Sequence, residues 1–201
     1  LFQNGSFKWG EGNFLVRSRQ LFADKGLMAV VVDAPSDRQR APFLNGFRQT
    51  EEHAADLKAT IAWARATAKV PVWLVGTSRG TQSAAYAATV LQGADAPDGV
   101  VLTATILADD KQRPVPAMPL EQIKVPVLVV HHQQDGCSYC AYSEIPNLMA
   151  KLTHTPRSHL ITATGGKNQG DACAAFAHHG FNGLEADVVG QMADWILAPA
   201  R

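Results

Sequence analysis

Short apolar runs alternate with longer stretches of helical spacing along most of the chain. The apolar runs are rich in β-branched residues and bounded by glycine, proline or aspartate, which is typical of strands buried on both faces of a sheet. The pattern predicts four such strands and a weaker fifth, at residues 27–33, 70–75, 100–107, 125–131 and 158–163. Apolar positions at helical spacing predict helices at residues 12–25, 50–68, 80–91, 143–153 and 184–197.

The alternation of strand and helix predicts the fold class. Chains of this kind form a mostly parallel sheet with helices on both faces. We therefore expect one α/β domain over residues 1–201, built on a doubly wound sheet. Because such sheets bind their ligands beyond the carboxyl ends of the strands, the residues that follow each predicted strand are the candidates for function.

Composition and charge narrow the classes of function. The chain has 201 residues, of which 46% are hydrophobic, and this is enough for one domain with a sizeable core. Lys and Arg number 18, as do Asp and Glu, so no overall charge favours nucleic acid or an anionic membrane. No apolar run exceeds six residues, whereas roughly 18 are needed to span a bilayer. We expect no nucleic-acid partner and no membrane span, and the sequence leaves the oligomeric state open.

A candidate nucleophile follows the predicted strand at 70–75. The pentapeptide Gly76-Thr77-Ser78-Arg79-Gly80 has the form G-x-S-x-G and leads into an alanine-rich helix. Such a turn presents its serine on a strained backbone, and the two glycines avoid collision with neighbouring elements. The backbone N–H of Arg79 is then directed at a developing oxyanion. The alternative interpretation is an ordinary turn in which Ser78 caps the helix.

A serine nucleophile needs a base and an acid that orients it, each beyond a later strand and in the order Ser, Asp, His. Asp135 follows the strand at 125–131, and His179 lies between the last predicted strand and the last helix. His178 is the alternative base. Asp109 and Asp110 also follow a predicted strand and are the alternative acids.

Three segments together resemble the small α/β-hydrolases, nearest in style to the dienelactone-hydrolase-like serine esterases. They are GTSRG at 76–80, VPVLVVHHQQD at 125–135 and HGF at 179–181. The resemblance implies an α/β-hydrolase sheet, with Ser78 as nucleophile, Asp135 as acid and His179 as base. The segment between the predicted strands at 100–107 and 125–131 is too short for the large cap domain that many relatives carry. Dienelactone hydrolases use a cysteine nucleophile, so a serine in that place implies ordinary ester chemistry.

The resemblance also has departures. His132 stands where the family usually has glycine. The family's first strands and its glycine-rich oxyanion loop are missing or shortened at the amino end. If residues 1–2 end such a strand, Gln3, Asn4 or Gly5 supplies the second oxyanion donor.

These features predict a serine hydrolase that cleaves small-molecule carboxylic esters through an acyl-enzyme, with no cofactor. A thioesterase, peptidase or acyltransferase is compatible with the same triad. The alternative from another class is an inactive binding module with the hydrolase fold.

The three cysteines add a prediction about the same region. If Asp135 meets His179, the loop with Cys137 and Cys140 lies near Cys173, which favours one disulfide between the two loops. Such a bond implies a periplasmic or secreted protein, and its absence a cytoplasmic one. The motif C-x-x-C lacks a second pair of ligands, so we expect no metal site.

Overall fold

A computed structural model describes residues 2–3, 6–7 and 10–198. Four parallel strands form its main sheet, and their order in the sheet is their order along the chain. These strands are β3 (Trp73–Thr77), β4 (Gly99–Thr103), β5 (Val127–His132) and β6 (Ser158–Ala163). Two short antiparallel strands, β1 (Phe2–Gln3) and β2 (Ser6–Phe7), precede them.

Helices connect the strands. They are α1 (Phe14–Arg17), α2 (Arg19–Asp24), α3 (Glu51–Ala68), α4 (Arg79–Val90), α5 (Ile145–Ala150) and α6 (Glu185–Leu197). Helix α3 begins where the sequence predicts. The Thr50 side chain caps it by accepting a hydrogen bond from His53 N–H. Acidic residues occupy its first turn, which favours a helix start. The predicted helix at 12–25 is interrupted at Ser18, which joins α1 to α2.

Alternate residues of the central strands point to opposite faces of the sheet. Val100 and Val129 pack with α4 and α5, whereas Val101 and Leu128 pack with α1, α2 and α6. These side chains are fully buried, so both faces of the sheet are covered. The fold class expected from the alternation, a doubly wound parallel α/β sheet, is therefore confirmed.

The segment that replaces a large cap is short. Between β4 and β5 the chain forms two single turns of 3₁₀ helix, Val115–Ala117 and Leu120–Gln122. Val115 and Leu120 are fully buried in the core on the α4 side of the sheet. Among the helices that the structure describes, none is long and apolar enough to cross a membrane.

The prediction of a strand at 27–33 is wrong. In the structure this segment belongs to no sheet, and among the described residues no backbone hydrogen bond involves positions 28–32. Met28 and Val32 are about half exposed, with relative accessibilities of 50% and 52%. The apolar pattern is that of a buried strand, but no described strand lies beside it to form the ladder.

We expect the exposed segment 27–33 to contribute less to the free energy of unfolding than the buried strand β5. Leu128→Ala removes a fully buried side chain and should lower the free energy of unfolding by about 2–5 kcal/mol. Met28→Ala should change it by less than about 1 kcal/mol, because the side chain is already half exposed. Urea unfolding of both variants measures the two values. Equal losses would contradict the exposed position of 27–33.

Candidate active site

Ser78 occupies a strained turn between β3 and α4. Its backbone has φ 51° and ψ −125°, a conformation that costs free energy for any residue with a side chain. Its N–H donates to Thr103 O at 3.0 Å, which ties the turn to the neighbouring strand β4. The side chain makes no capping hydrogen bond to α4. This geometry disfavours the interpretation of Ser78 as a helix cap and leaves its hydroxyl group available.

The two glycines of the motif have different roles. A Cβ at Gly76 would lie 2.5 Å from the carbonyl oxygen of Gly80, which is closer than such atoms approach in proteins. A Cβ at Gly80 would have no heavy atom of the described chain within 4 Å. The steric need that the motif predicts therefore applies to Gly76, whereas at Gly80 the structure leaves open space.

Asp135 and His179 form a buried pair beyond the carboxyl ends of β5 and β6. The His179 Nδ1 and Asp135 Oδ2 atoms are 2.9 Å apart, and the two side chains are 4% and 0% exposed. The other carboxylate oxygen, Oδ1, accepts a hydrogen bond from Cys137 N–H at 2.9 Å. With both oxygens engaged, the carboxylate has a fixed orientation toward the imidazole.

The second nitrogen of the His179 imidazole, Nε2, is buried and has no hydrogen-bond partner among the described residues. The structure thus joins Asp135 to His179 and forms no hydrogen bond between His179 and the Ser78 hydroxyl. Ser78, Asp135 and His179 come after β3, β5 and β6, respectively. All three therefore follow the carboxyl ends of parallel strands, at one end of the sheet.

The rival residues have other contacts. His178 stacks on His132, with ring centroids 4.2 Å apart, and its Nδ1 lies 3.2 Å from the Gln134 carbonyl oxygen. Asp109 forms an ion pair with the Arg79 guanidinium. Asp110 is exposed. In the structure none of these alternatives joins a histidine to a carboxylate.

The Arg79 side chain is anchored rather than free in solvent. Besides its ion pair with Asp109, the guanidinium lies 4.9 Å from the centre of the Tyr139 ring. Burial raises the pKa of Asp109, but the hydrogen bond from Lys111 N–H and the Arg79 guanidinium outweigh this effect and lower it. The carboxylate therefore stays charged and holds Arg79 beside the turn.

Sequence reasoning did not single out His131 as a neighbour of the acid. This side chain is fully buried, its Nε2 lies 2.7 Å from the Cys140 carbonyl oxygen, and the same nitrogen is 3.7 Å from Asp135 Oδ2. Burial lowers the pKa of His131, so the ring is neutral at pH 7. The only sequence signal is its place at the end of a buried strand, four residues before Asp135.

The cysteines lie beside this pair. Cys137 and Cys173 are bonded to each other, and Cys140 is a buried free thiol whose pKa is raised by burial. The bond connects the loop of Asp135 to the loop that leads into the short helical turn His178–Gly180. One ligand atom each of Cys137, Cys140 and His179 lies within 4.8 Å of the others. With Cys137 bonded to Cys173, two of these three residues, Cys140 and His179, keep an atom that could bind a metal, fewer than the four protein ligands of a structural zinc site.

The Arg17 guanidinium holds the turn that contains His179. The Arg17 side chain donates hydrogen bonds to the carbonyl oxygens of Gly12 and Gly180 and pairs with Glu185 at 2.9 Å. It therefore links α1 and α6 to the residue after His179. Of the other oxyanion candidates, Gln3 belongs to β1, and Asn4 and Gly5 lie outside the described residues.

Comparisons with solved structures identify the fold. No protein-family model and no curated protein matches the chain. A cold-adapted esterase from an Arctic intertidal metagenomic library, solved with zinc bound, superposes with a TM-score of 0.59 at 17% identity, covering 91% of this chain and 78% of that one. Dienelactone hydrolase from Anabaena variabilis gives the same TM-score and identity and covers 92% and 78%. The chain therefore has the α/β-hydrolase fold.

Proposed function

We propose that the protein is a serine hydrolase that cleaves carboxylic esters of small molecules. One observation carries the proposal. A strained serine turn and a buried aspartate–histidine pair both lie beyond the carboxyl ends of the parallel strands. Ser78 is the nucleophile, His179 the base and Asp135 the orienting acid. The esterase and the dienelactone hydrolase of the same fold support this class of reaction.

The acid–base arrangement follows from the 2.9 Å contact between His179 and Asp135. When Nδ1–H donates to the carboxylate, the proton is kept off Nε2, whose lone pair is then free to accept the Ser78 proton. The imidazolium that forms is stabilised by Asp135, which stays ionised. His179 later returns the proton to the leaving alcohol, and water cleaves the acyl-enzyme by the same steps in reverse order.

The oxyanion of the tetrahedral intermediate needs hydrogen-bond donors. Arg79 is the first residue of α4, and the N–H groups of a first helical turn lack partners within the helix. Its N–H is therefore one donor, and removal of such a donor costs about 3–4 kcal/mol of transition-state stabilisation. Asn4 or Gly5 is the proposed second donor.

The triad predicts one reactive serine. A fluorophosphonate probe should form a single adduct on Ser78, located by peptide mass spectrometry. Ser78→Ala and His179→Ala should abolish labelling and lower kcat/KM for p-nitrophenyl acetate by about 10⁴-fold or more. His178→Ala is the matched control and should keep most of the activity. Scattered labelling without measurable activity would support the binding module instead, and activity that survives Ser78→Ala would mean that another residue is the nucleophile.

The close approach inside the turn predicts a second effect. Gly76→Ala places a Cβ against the Gly80 carbonyl, so the turn must shift and move the Ser78 hydroxyl away from the base. We expect kcat to fall by about 100-fold, since displacements near 1 Å have effects of this size. Gly80→Ala has room for its Cβ and should fall far less. Steady-state kinetics and circular dichroism of both variants separate lost activity from lost folding.

The bond between the acid and base loops predicts a third effect. Cys173→Ser removes a bond between cysteines 36 positions apart in the sequence and should lower the free energy of unfolding by about 3–4 kcal/mol. Activity should fall as well, because the loop before His179 becomes less restricted. Cys140→Ala leaves the Cys137–Cys173 bond in place and serves as the control. Equal behaviour of the two variants in urea unfolding would argue against a role of this bond.

A further inference from the structure

The sulfur atoms of Cys137 and Cys140 lie close to the imidazole of the candidate site. Each sulfur is within 4.8 Å of the other and of one ring nitrogen of His179. All three residues are buried. In a tetrahedral zinc site, with Zn–S of about 2.3 Å and Zn–N of about 2.0 Å, neighbouring ligand atoms are roughly 3.6–3.8 Å apart. Shifts of about 1 Å therefore bring these three atoms to the spacing of zinc ligands.

The segment from Cys137 to Cys140 forms a turn that does not depend on its sulfur atoms. Cys140 N–H donates to the Cys137 carbonyl oxygen at 2.8 Å, and Cys137 N–H donates to the Asp135 carboxylate at 2.9 Å. The Cys140 carbonyl oxygen lies 2.7 Å from His131 Nε2. Because backbone and side-chain hydrogen bonds hold the turn, we expect it to keep its shape when the disulfide is opened. A C-x-x-C turn is one half of many structural zinc sites.

The fold supplies the second pair of ligands, which the spacing of the C-x-x-C motif alone lacks. Cys173 is bonded to Cys137, so opening this bond leaves a third thiol beside the same group. His179 comes six positions after Cys173 in the sequence. The complete pattern is C-x₂-C followed by C-x₅-H, and three cysteines with one histidine are a common ligand set of structural zinc.

The two ends of the disulfide differ in exposure. Cys173 is exposed and follows the exposed run 164–171, whereas Cys137 is buried. A reductant therefore reaches the bond from the side of Cys173. When a phosphine attacks this sulfur, Cys137 leaves as a thiolate. Water then gives its oxygen to phosphorus and one proton to each sulfur, so the products are two thiols and one phosphine oxide.

We propose that the reduced chain binds one zinc ion at this place. The ligands are three thiolates and one imidazole, which belong to Cys137, Cys140, Cys173 and His179. Each thiol releases its proton to solvent when the ion binds. The oxidised chain offers two of the four ligands and does not hold the ion. The metal and the disulfide are thus alternative cross-links between the same two loops.

Zinc at His179 has a further effect, which rests on the proposed function. On Nδ1 the ion replaces the contact with Asp135, and on Nε2 it occupies the lone pair that accepts the Ser78 proton. Either way the general base is lost. We expect zinc to inhibit ester hydrolysis by the reduced chain at least about 100-fold, EDTA to restore it, and the oxidised chain to be insensitive.

Cobalt(II) is the probe for the site, because it takes the ligands of zinc and absorbs light. The full chain is reduced with the phosphine TCEP, separated from excess reductant without oxygen, and titrated with Co²⁺ and then with Zn²⁺. Near-ultraviolet absorption from thiolate to cobalt reports sulfur ligands, and elemental mass spectrometry gives the metal content. The oxidised chain and the variants Cys140→Ala, Cys173→Ser and His178→Ala are titrated in parallel.

We expect one Co²⁺ per reduced chain, with thiolate absorption that Zn²⁺ removes, and no such absorption in the oxidised chain. Cys140→Ala should bind at least about 100-fold more weakly, since even the outer partners of metal ligands contribute about 10–100-fold. His178→Ala is the matched control and should bind like the parent. Cys173→Ser has no disulfide and keeps three ligands, so it should bind cobalt without reductant, which keeps the test informative if reduction unfolds the parent.

Three results would overturn the proposal. Absence of thiolate absorption from both the reduced parent and Cys173→Ser would mean that the sulfurs do not bind the metal. Equal affinity of Cys140→Ala and the parent would indicate an adventitious ion elsewhere. A bond between Cys137 and Cys140, found by peptide mass spectrometry in the zinc-treated reduced chain, would mean that the freed thiols form a second disulfide. If every form is inactive toward esters, the proposed function is wrong, but the cobalt titration still decides the metal site.

Discussion

The approach of Gly76 to the Gly80 carbonyl is the constraint on which the candidate site depends. It allows the chain to reverse from β3 into α4 within a few residues, and the hydrogen bond from Ser78 N–H to Thr103 O fixes the turn to the next strand. Because β3, β4, β5 and β6 are parallel neighbours in one sheet, this turn and the loops that follow β5 and β6 lie at the same end of the sheet. Backbone packing thus positions Ser78, whereas the side-chain contact between Asp135 and His179 orients the imidazole.

Much of the fold was predictable because it follows from local pattern. The cap at Thr50 and the bounds of β6 agree with the sequence, since capping residues and apolar runs act over short distances. The segment 27–33 shows the limit of this reasoning. Its apolar residues have the pattern of a buried strand, but pairing depends on a segment distant in sequence, about which periodicity gives no information.

The candidate site was predictable to the extent that chain order determines it. Asp135 and His179 each follow a strand, and the parallel sheet brings their loops together into the buried pair. The ion pair of Arg79 with Asp109 and the contact of His131 with the Cys140 carbonyl were not predictable. Both depend on the path of irregular loops, for which the sequence has no periodic signal.

The backbone angles of Ser78 have a further consequence for this chain. A glycine at position 78 would adopt φ 51° without the steric cost of about 1–3 kcal/mol that a side chain incurs there. The backbone at this position therefore favours glycine over any residue with a side chain, serine included. If Ser78 is the nucleophile, selection for a more stable fold and selection for reactivity act in opposite directions at this single residue.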